Sequence, residues 1–336
     1  MTVRDVLIVG AGPAGLAAAI AASRAGLSYL VVEKGALVNT VFHYPTNMVF
    51  FTTPELLEIG GLPFVTPHGK PTRVEALNYY RRVAQACHLE VELGEEVTRI
   101  AEDADAEEGR VLAAETRSDR GVRRTQYARA IVLATGAFDK PNTIGVPGED
   151  LAHVSHYYTE AHPYYRKHVV IVGGQNSAAE AALELYRAGA DVTLVHRRAR
   201  LGDTIKYWVR PDIENRIQEG SVKARFGAIV REIRPTSIVI ATGGETEELP
   251  ADAVLLLTGY RSDTDLFERA GIAYDPVTFA PSYDPDTLES NVRDLFIIGA
   301  AITGRNSGKI FIENGRVHGE QVIATIARRL AARDGL

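Results

Sequence analysis

The chain has 336 residues, 46% of them hydrophobic and 24% charged, with a formal net charge of −6. That length suits about two domains, with cores large enough to dispense with disulfide or metal staples. The 37 basic and 43 acidic residues are dispersed, which argues against the clustered basic surface that nucleic acid requires. Thirty of the basic residues are Arg, a bias that reflects source composition rather than a binding patch. One cysteine, Cys87, excludes an intramolecular disulfide, a Cys-x-x-Cys pair and a multi-cysteine metal site. The N-terminus reads as a short strand running into glycines rather than as a signal peptide. No apolar run reaches the roughly 18 residues of a membrane span, so a soluble, cytoplasmic protein without membrane contacts is expected.

In chain order, the strand Val6-Leu-Ile-Val leads through Gly10, Gly12, Pro13, Ala14 and Gly15 into an Ala-rich helix. Gly26 then precedes a second buried strand, Tyr29-Leu-Val-Val-Glu33, followed by Lys34. A helix is predicted at 74–86 and a strand at 90–93, with Cys87 between them as a small packing residue. Residues 102–124 are rich in charge and read as a solvated β-meander or hairpin. A strand at 128–135 ends in Thr135-Gly136, and Pro141, Gly145, Pro147 and Gly148 follow as linker chemistry. The opening pattern then returns 163 residues after its first occurrence. Val169-Val-Ile-Val runs into Gly173, Gly174, Gln175, Asn176, Ser177 and Ala178, then a helix, Gly189 and the strand Asp191-Val-Thr-Leu-Val-His196. A strand at 252–259 ends in Thr258-Gly259, and one at 294–299 leads through Gly299 and Ala300 to a C-terminal helix near 311–332.

Two strand–glycine–helix–strand units of this kind imply an α/β chain with two Rossmann-like, three-layer ββα dinucleotide-binding domains. In the first, Gly10 permits the tight turn, Gly12 lets a pyrophosphate approach the backbone and Gly15 allows close helix–strand packing. The pyrophosphate would rest on free N–H groups at the helix N-terminus. Glu33 ends the second strand where a carboxylate accepts ribose hydroxyls. A glycine turn by itself can be only a sharp bend, but the acid in register makes a dinucleotide site the stronger reading.

The second copy has opposite charge chemistry. Gln175 replaces the second glycine and Ala178 the third. The residue in register with Glu33, 23 positions after the first glycine in both copies, is His196, with Arg197 and Arg198 next. Losing the acid and gaining two guanidinium groups suits a ribose 2′-phosphate, because Arg binds phosphate bidentately. A solvated basic turn is the plainer alternative. NADPH is therefore expected here, and a dinucleotide with an unmodified ribose at the first site.

Two such sites in one chain suggest a hydride relay from NADPH to a bound flavin, FAD. Thr135-Gly136 and Thr258-Gly259 suit chain crossings against a cofactor, and the start of the last helix, with Ile310, would face the flavin O2/N1 edge. On Gly173-Gly-Gln-Asn-Ser-Ala178, His196-Arg-Arg198 and Ala134-Thr-Gly136, the chain resembles the low-molecular-weight thioredoxin-reductase group. It departs from thioredoxin reductase in having no Cys-x-x-Cys and in carrying Gly299-Ala300 where Gly-Asp is usual. Tyr44-Pro-Thr46, Phe50-Phe51, Ile59-Gly60, Lys70-Pro71 and Ala76-Leu-Asn-Tyr-Tyr-Arg81 are closer to the YpdA-type bacillithiol-disulfide reductases. So are His156-Tyr-Tyr-Thr-Glu-Ala-His-Pro163, Ile205-Lys206 with Trp208, and Ile310-Phe-Ile-Glu-Asn-Gly315. The resemblance spans nearly the whole chain. It implies a homodimeric FAD and NADPH oxidoreductase delivering electrons to a small-molecule or small-protein acceptor, above all a low-molecular-weight thiol disulfide. The family typically has a cysteine directly after Gly-x-Gly-Pro; Ala14 stands there in this chain.

Under that resemblance the FAD domain is expected at 1–150 and 251–336, with the NADPH domain at 151–250. His43 and Tyr44 are weak candidates for proton delivery or flavin packing, with loop packing favoured. His156, His162 and the tyrosines around them are read as hinge packing, and Lys206 and Lys309 as solvated lysines. No histidine spacing suggests a metal site. Rival readings are a ferredoxin or flavodoxin–NADP reductase, a flavin monooxygenase and a non-catalytic redox sensor. The tail after Arg329 offers no aromatic to stack on a flavin, and Val154-Ser-His156 lacks the Phe and Gly of the monooxygenase linker.

Overall fold

A computed structural model describes residues 2–103, 110–306 and 308–333. The chain divides into two compact units, Met1–Lys140 with Tyr260–Leu336, and Pro141–Gly259. These divisions differ from the expected 150 and 251 for a local reason. Thr258 Oγ1 donates to Asn142 O (2.6 Å) and Asn142 N donates to Gly259 O (2.9 Å). Ile233 N donates to Pro147 O (2.9 Å). The Pro/Gly stretch is thereby tied into the second unit.

The first unit begins with β1 (Val3–Val9), α1 (Pro13–Arg24), β2 (Tyr29–Glu33), α2 (Asn39–Phe42) and α3 (Arg73–Ala86). It continues through β3 (Val91–Leu93), β4 (Glu95–Asp103), β5 (Val111–Ser118) and β6 (Arg123–Leu133). The second unit holds β7 (Val154–Ser155), β8 (His168–Val172), α4 (Asn176–Arg187), β9 (Asp191–His196), α5 (Arg210–Gln218) and β10 (Lys223–Phe226). Strands β11 (Ala228–Arg234), β12 (Ser237–Thr242), β13 (Glu245–Pro250) and β14 (Ala253–Leu256) complete it. The chain then returns to the first unit with α6 (Thr264–Arg269), β15 (Leu295–Ile297), α7 (Ile312–Gly315) and α8 (His318–Arg333).

In the first unit, β3, β2, β1, β6 and β15 form a parallel sheet. The long β6 lies beside β1 along one edge and serves two further partners along the other. Its first half pairs antiparallel with β5, and its last residues, Ile131 to Leu133, pair with β15. Strands β4 to β6 are the meander expected around 102–124; residues 104–109 of that stretch lie outside the described residues. Because both sheet faces are covered, the parallel strands read as unbroken apolar runs, and Val6, Leu7 and Ile8 are fully buried. Helix α1 lies close on the sheet because its buried face carries Ala17, Ala18, Ala19 and Ala22. Helix α3 starts in a capping box: the Glu75 carboxylate accepts from Thr72 N (2.7 Å) and the Thr72 hydroxyl accepts from Glu75 N (3.3 Å). Its buried residues Ala76, Tyr79, Tyr80 and Val83 fall at helical spacing.

The second unit repeats the plan, with a parallel sheet in the order β10-β9-β8-β14-β7 and a separate antiparallel sheet β11-β12-β13. The expected single C-terminal helix is instead two. Between α7 and α8 the Arg316 guanidinium turns away to donate to the carbonyls of Glu55 and Glu58. Helix α8 then packs so tightly on α1 that a β-carbon on Gly319 would lie 2.5 Å from Ala18 N.

Candidate functional site

A glycine turn follows β1 in the first unit and β8 in the second, at the carboxyl end of a central strand where the strand order reverses and open α/β sheets bind ligands. In the first unit Gly10 has φ +107°, a conformation that only glycine takes readily, and a β-carbon there would lie 2.6 Å from Ala134 O. A β-carbon on Gly15 would lie 1.9 Å from Gly10 O, so helix and strand meet backbone to backbone. A β-carbon on Gly12 would meet nothing within 4 Å. Its glycine therefore keeps the front of the turn clear, beside first-turn N–H groups of α1 that have no intrahelical partner.

Glu33 stands beside this turn. Its carboxylate is buried and accepts from Ala11 N (2.8 Å) and Gly35 N (2.9 Å). A carboxylate has about four lone-pair positions, so two remain for ribose hydroxyls. Burial pushes its pKa up, against the lowering effect of the two N–H donors. Lys34 pairs with Asp139 (2.8 Å) and borders an open polar cleft also lined by Glu96, Arg117 and Asp119. Thr135 presents a buried Oγ1 with no partner among the described residues, and Gly136 (φ +70°) faces open space. The cleared glycine, the half-satisfied carboxylate and the orphan hydroxyl together fit FAD.

Gly299 (φ +64°) faces α1, where its β-carbon would lie 2.9 Å from the Ala14 side chain. Gly299 N donates to His318 Nδ1 (3.1 Å), and burial lowers the His318 pKa. The Ala300 carbonyl accepts from Thr303 Oγ1 (2.7 Å). Ile310 is half-buried against Gly315, which brings α7 to Gly299. The start of the long helix is therefore His318, not the 310–314 stretch. His318 escapes sequence reading because it stands in no motif spacing.

Of the catalytic candidates, His43 is exposed and bonds Asn39 O through Nδ1 (2.9 Å), so that nitrogen is assigned the proton. Tyr44 packs edge-on against Phe138 (5.3 Å) and Phe50 (6.2 Å), and Phe138 in turn packs on Tyr260 (4.5 Å). Burial, aided by the Glu313 carboxylate, pushes the Tyr44 phenol up to about 12. At neutral pH Tyr44 is thus a donor and not a base.

The second turn reproduces the first with adjusted parts. A β-carbon on Gly173 would lie 2.6 Å from Leu257 O and 2.9 Å from the Ala178 side chain. Gln175 accepts a hydrogen bond from Thr204, Asn176 Oδ1 accepts from Lys206 N (2.9 Å), and Gly202 N donates to Gly174 O (2.8 Å). The loop after β9 is thereby fastened over the turn, near Ser177 at the start of α4. His196 lies against Gly174, buried, with its Nε2 unpartnered. Burial and the two neighbouring arginines depress its pKa, leaving it neutral. Arg197 and Arg198 are exposed. A phosphate would therefore meet the two guanidinium groups rather than the imidazole, and this exposed pair fits NADPH.

Residues 7–299 match the pyridine nucleotide-disulphide oxidoreductase family. The chain belongs to that family. It is 39% identical over 330 residues to bacilliredoxin reductase Bdr of Bacillus subtilis, covering 98% of this chain and 99% of that one. Two solved structures match it along nearly the whole length. Bacillithiol disulfide reductase Bdr (YpdA) from Bacillus cereus matches at 40% identity and TM-score 0.94, covering 98% of this chain and all of that one. The Staphylococcus aureus enzyme of the same name matches at 34% identity and TM-score 0.90, covering 99% of each chain. This member of the pyridine nucleotide-disulphide oxidoreductases is an NADPH-dependent flavoprotein of thioredoxin-reductase-like fold, with FAD and NADPH as its cofactors.

Proposed function

We propose that the chain reduces a low-molecular-weight thiol disulfide of the bacillithiol type, with one NADPH and one proton yielding NADP and two thiols. The observation that carries this reading is the pair of matching glycine turns with opposite ribose chemistry, Glu33 at one and Arg197 with Arg198 at the other. The names of the relatives above supply the acceptor class. When bound, FAD supplies the two-electron acceptor between NADPH and the disulfide.

In this reading FAD belongs to the first unit, held by Gly10, Gly12, Pro13, Ala14, Gly15, Glu33, Lys34, Thr135, Gly136, Gly299, Ala300 and Ile310. NADPH belongs to the second, held by the residues from Gly173 to Ala178 with Arg197 and Arg198. The protein's work is positioning. Glu33 orients the adenosine ribose and Tyr44 presents a protonated phenol beside Phe138. Cys87, which caps α3 away from both turns in sequence, has no second thiol with which to relay electrons. Electrons therefore leave for the acceptor without a protein dithiol. A homodimer is the proposed assembly, as the resemblance to the bacillithiol-disulfide reductases implies. The cytoplasm is the proposed compartment, and among the described residues no helix is long and apolar enough to cross a membrane.

An anaerobic acceptor screen tests this. NADPH oxidation should be fastest with bacillithiol disulfide among bacillithiol disulfide, thioredoxin and ferredoxin. Faster turnover with ferredoxin would replace the reading with a ferredoxin–NADP reductase.

A further inference from the structure

A second feature of the first unit has no part in nucleotide binding. Phe279 holds two guanidinium groups on its ring, with Arg305 Cζ 4.7 Å and Arg261 Cζ 4.9 Å from the ring centre. Arginine over an aromatic face is attracted by the ring quadrupole, which fixes the plane of its N–H donors. Two guanidinium groups in contact with one ring concentrate positive charge in one small region, which an anion would balance. Among the described residues no ion pair joins either arginine to a carboxylate. Neighbouring acids make their hydrogen bonds and ion pairs elsewhere, although the Asp265 carboxyl also feels the Arg261 charge. Asp275 accepts from Val277 N (2.9 Å), Thr278 N (2.6 Å) and Thr278 Oγ1 (2.9 Å), while Asp265 pairs with Lys140 (2.9 Å). Arg261 spends one donor on Thr264 Oγ1 (2.7 Å) and keeps the rest.

The pair is built into the backbone rather than resting on it. Phe279 adopts φ +58°, a left-handed conformation unusual for an aromatic residue, and its N–H donates to Asp275 O (2.7 Å). Gly304 also has φ +58°, and a β-carbon there would lie 2.2 Å from Thr278 O, so the Phe279 loop sits directly on that glycine. Arg305 N donates to Thr278 O (2.7 Å). The buried Ser262 hydroxyl donates to Ala301 O (2.8 Å) and accepts from Gly304 N (3.0 Å). The two arginines thus project from the two chain segments fastened to the end of the Gly299–Thr303 turn, which is itself assigned to FAD.

We propose that Arg261 and Arg305, spread on Phe279, form a clamp for a carboxylate of the disulfide acceptor. This rests on the acceptor reading above and adds charge selectivity to it: an acidic disulfide is preferred to a neutral one of the same size. Guanidinium forks match carboxylates in geometry, and attachment to the Gly299–Thr303 turn places the clamp on the flavin-bearing unit.

The test uses the FAD-loaded enzyme and two disulfides, dithiodiglycolate with two carboxylates and neutral hydroxyethyl disulfide. The wild type should favour dithiodiglycolate. Arg261→Gln or Arg305→Gln should each lower the ratio of the two kcat/KM values about tenfold, the loss of one charge-assisted contact. Arg305→Lys, which keeps the charge, should restore part of the ratio, and this would not follow if the arginines only braced the loop. Calorimetric binding of dithiodiglycolate is measured alongside. Equal binding by wild type and Gln variants, or an unchanged ratio with disulfides still reduced, overturns the clamp and leaves the acceptor reading standing. Binding lost in the Gln variants while wild type reduces neither of these nor bacillithiol disulfide overturns the acceptor reading and leaves the pair as a carboxylate site.

Discussion

Gly10 and Ala134 stand so close that a β-carbon on the glycine would lie 2.6 Å from the alanine's carbonyl oxygen. Gly173 and Leu257 repeat the relationship at the same distance in the second unit. Two turns with the same backbone constraint thus carry different residues around them, Glu33 beside one and His196 with Arg197 and Arg198 beside the other. The third position of the motif shows how far that tolerance reaches. Ala178 is accommodated where its β-carbon meets Gly173, whereas Gly15 has Gly10 O at 1.9 Å from any β-carbon.

Gly15→Ala should therefore be damaging although the second unit carries alanine naturally at that position. Overpacking of this kind costs about 3 kcal/mol when the neighbour is backbone and cannot yield. The purified variant should lose flavin, read as a fallen ratio of 450 nm to 280 nm absorbance. Ala178→Gly should leave flavin content unchanged.

Much of this was legible in the sequence because each turn is encoded locally, by strand, glycine spacing and the register of Glu33 or His196. What was not legible depends on contacts between distant segments. The break between α7 and α8 follows from Arg316 reaching the carbonyls of Glu55 and Glu58, which no periodicity reveals. The neutral, buried state of His196 arises from burial against Gly174 and from the charges of Arg198 and Arg197, whereas its place in register suggested a phosphate ligand beside Arg197. The boundary near residue 140 was missed because linker-like Pro and Gly residues are pinned to Gly259 and Ile233.

Glu33 has a second consequence through its charge. Burial raises its carboxyl above the ordinary 4.5, whereas hydroxyl donors from a ribose favour the ionised form and lower it. Binding FAD should therefore release protons, and FAD affinity should rise with pH across the acid range just above 4.5. Titrating the flavin-free protein with FAD at several pH values checks the direction. In Glu33→Gln one of the two N–H donors, Ala11 or Gly35, faces an amide nitrogen, so affinity should fall about tenfold or more and the pH dependence should flatten.

Under the proposed assignment of NADPH to the second unit, Arg197 and Arg198 bear on nucleotide choice alone. Their exposure leaves them free to meet a 2′-phosphate, and neither should contribute much to folding. Replacing both by Ala should raise the KM for NADPH by roughly a hundredfold, on about 1.5 kcal/mol for each charge-assisted contact, with little change for NADH. A rise of the same size for both nucleotides would remove the 2′-phosphate assignment.

His318 connects the Gly299 turn to acid stability. Burial holds its native pKa below 6.5, and its Nδ1 must be unprotonated to accept from Gly299 N. The unfolded chain takes up that proton near 6.5, so the stabilisation is complete above that value and is lost as pH falls toward the lowered native pKa. His196, also depressed, acts in the same direction. Urea midpoints should therefore be lower near pH 5.5 than near pH 7.5, and His318→Gln should reduce that difference while costing about 1 kcal/mol at the higher pH.

Ala14 offers the sharpest test of how electrons reach the acceptor. It sits in the first turn of α1, partly buried, with its side chain facing Gly299. A thiol placed there would stand at a helix N-terminus, where the positive dipole end favours thiolate and lowers the pKa. Ala14→Cys should add a reactive nucleophile to the flavin unit without the backbone clash that Gly15→Ala creates. If direct transfer already serves the acceptor, disulfide reduction should change little and only the rate of alkylation should rise. If the missing thiol limits the natural enzyme, kcat for bacillithiol disulfide should increase while kcat for a quinone stays fixed. The ratio of those two activities, measured with and without an alkylating agent, distinguishes the two routes in a single preparation.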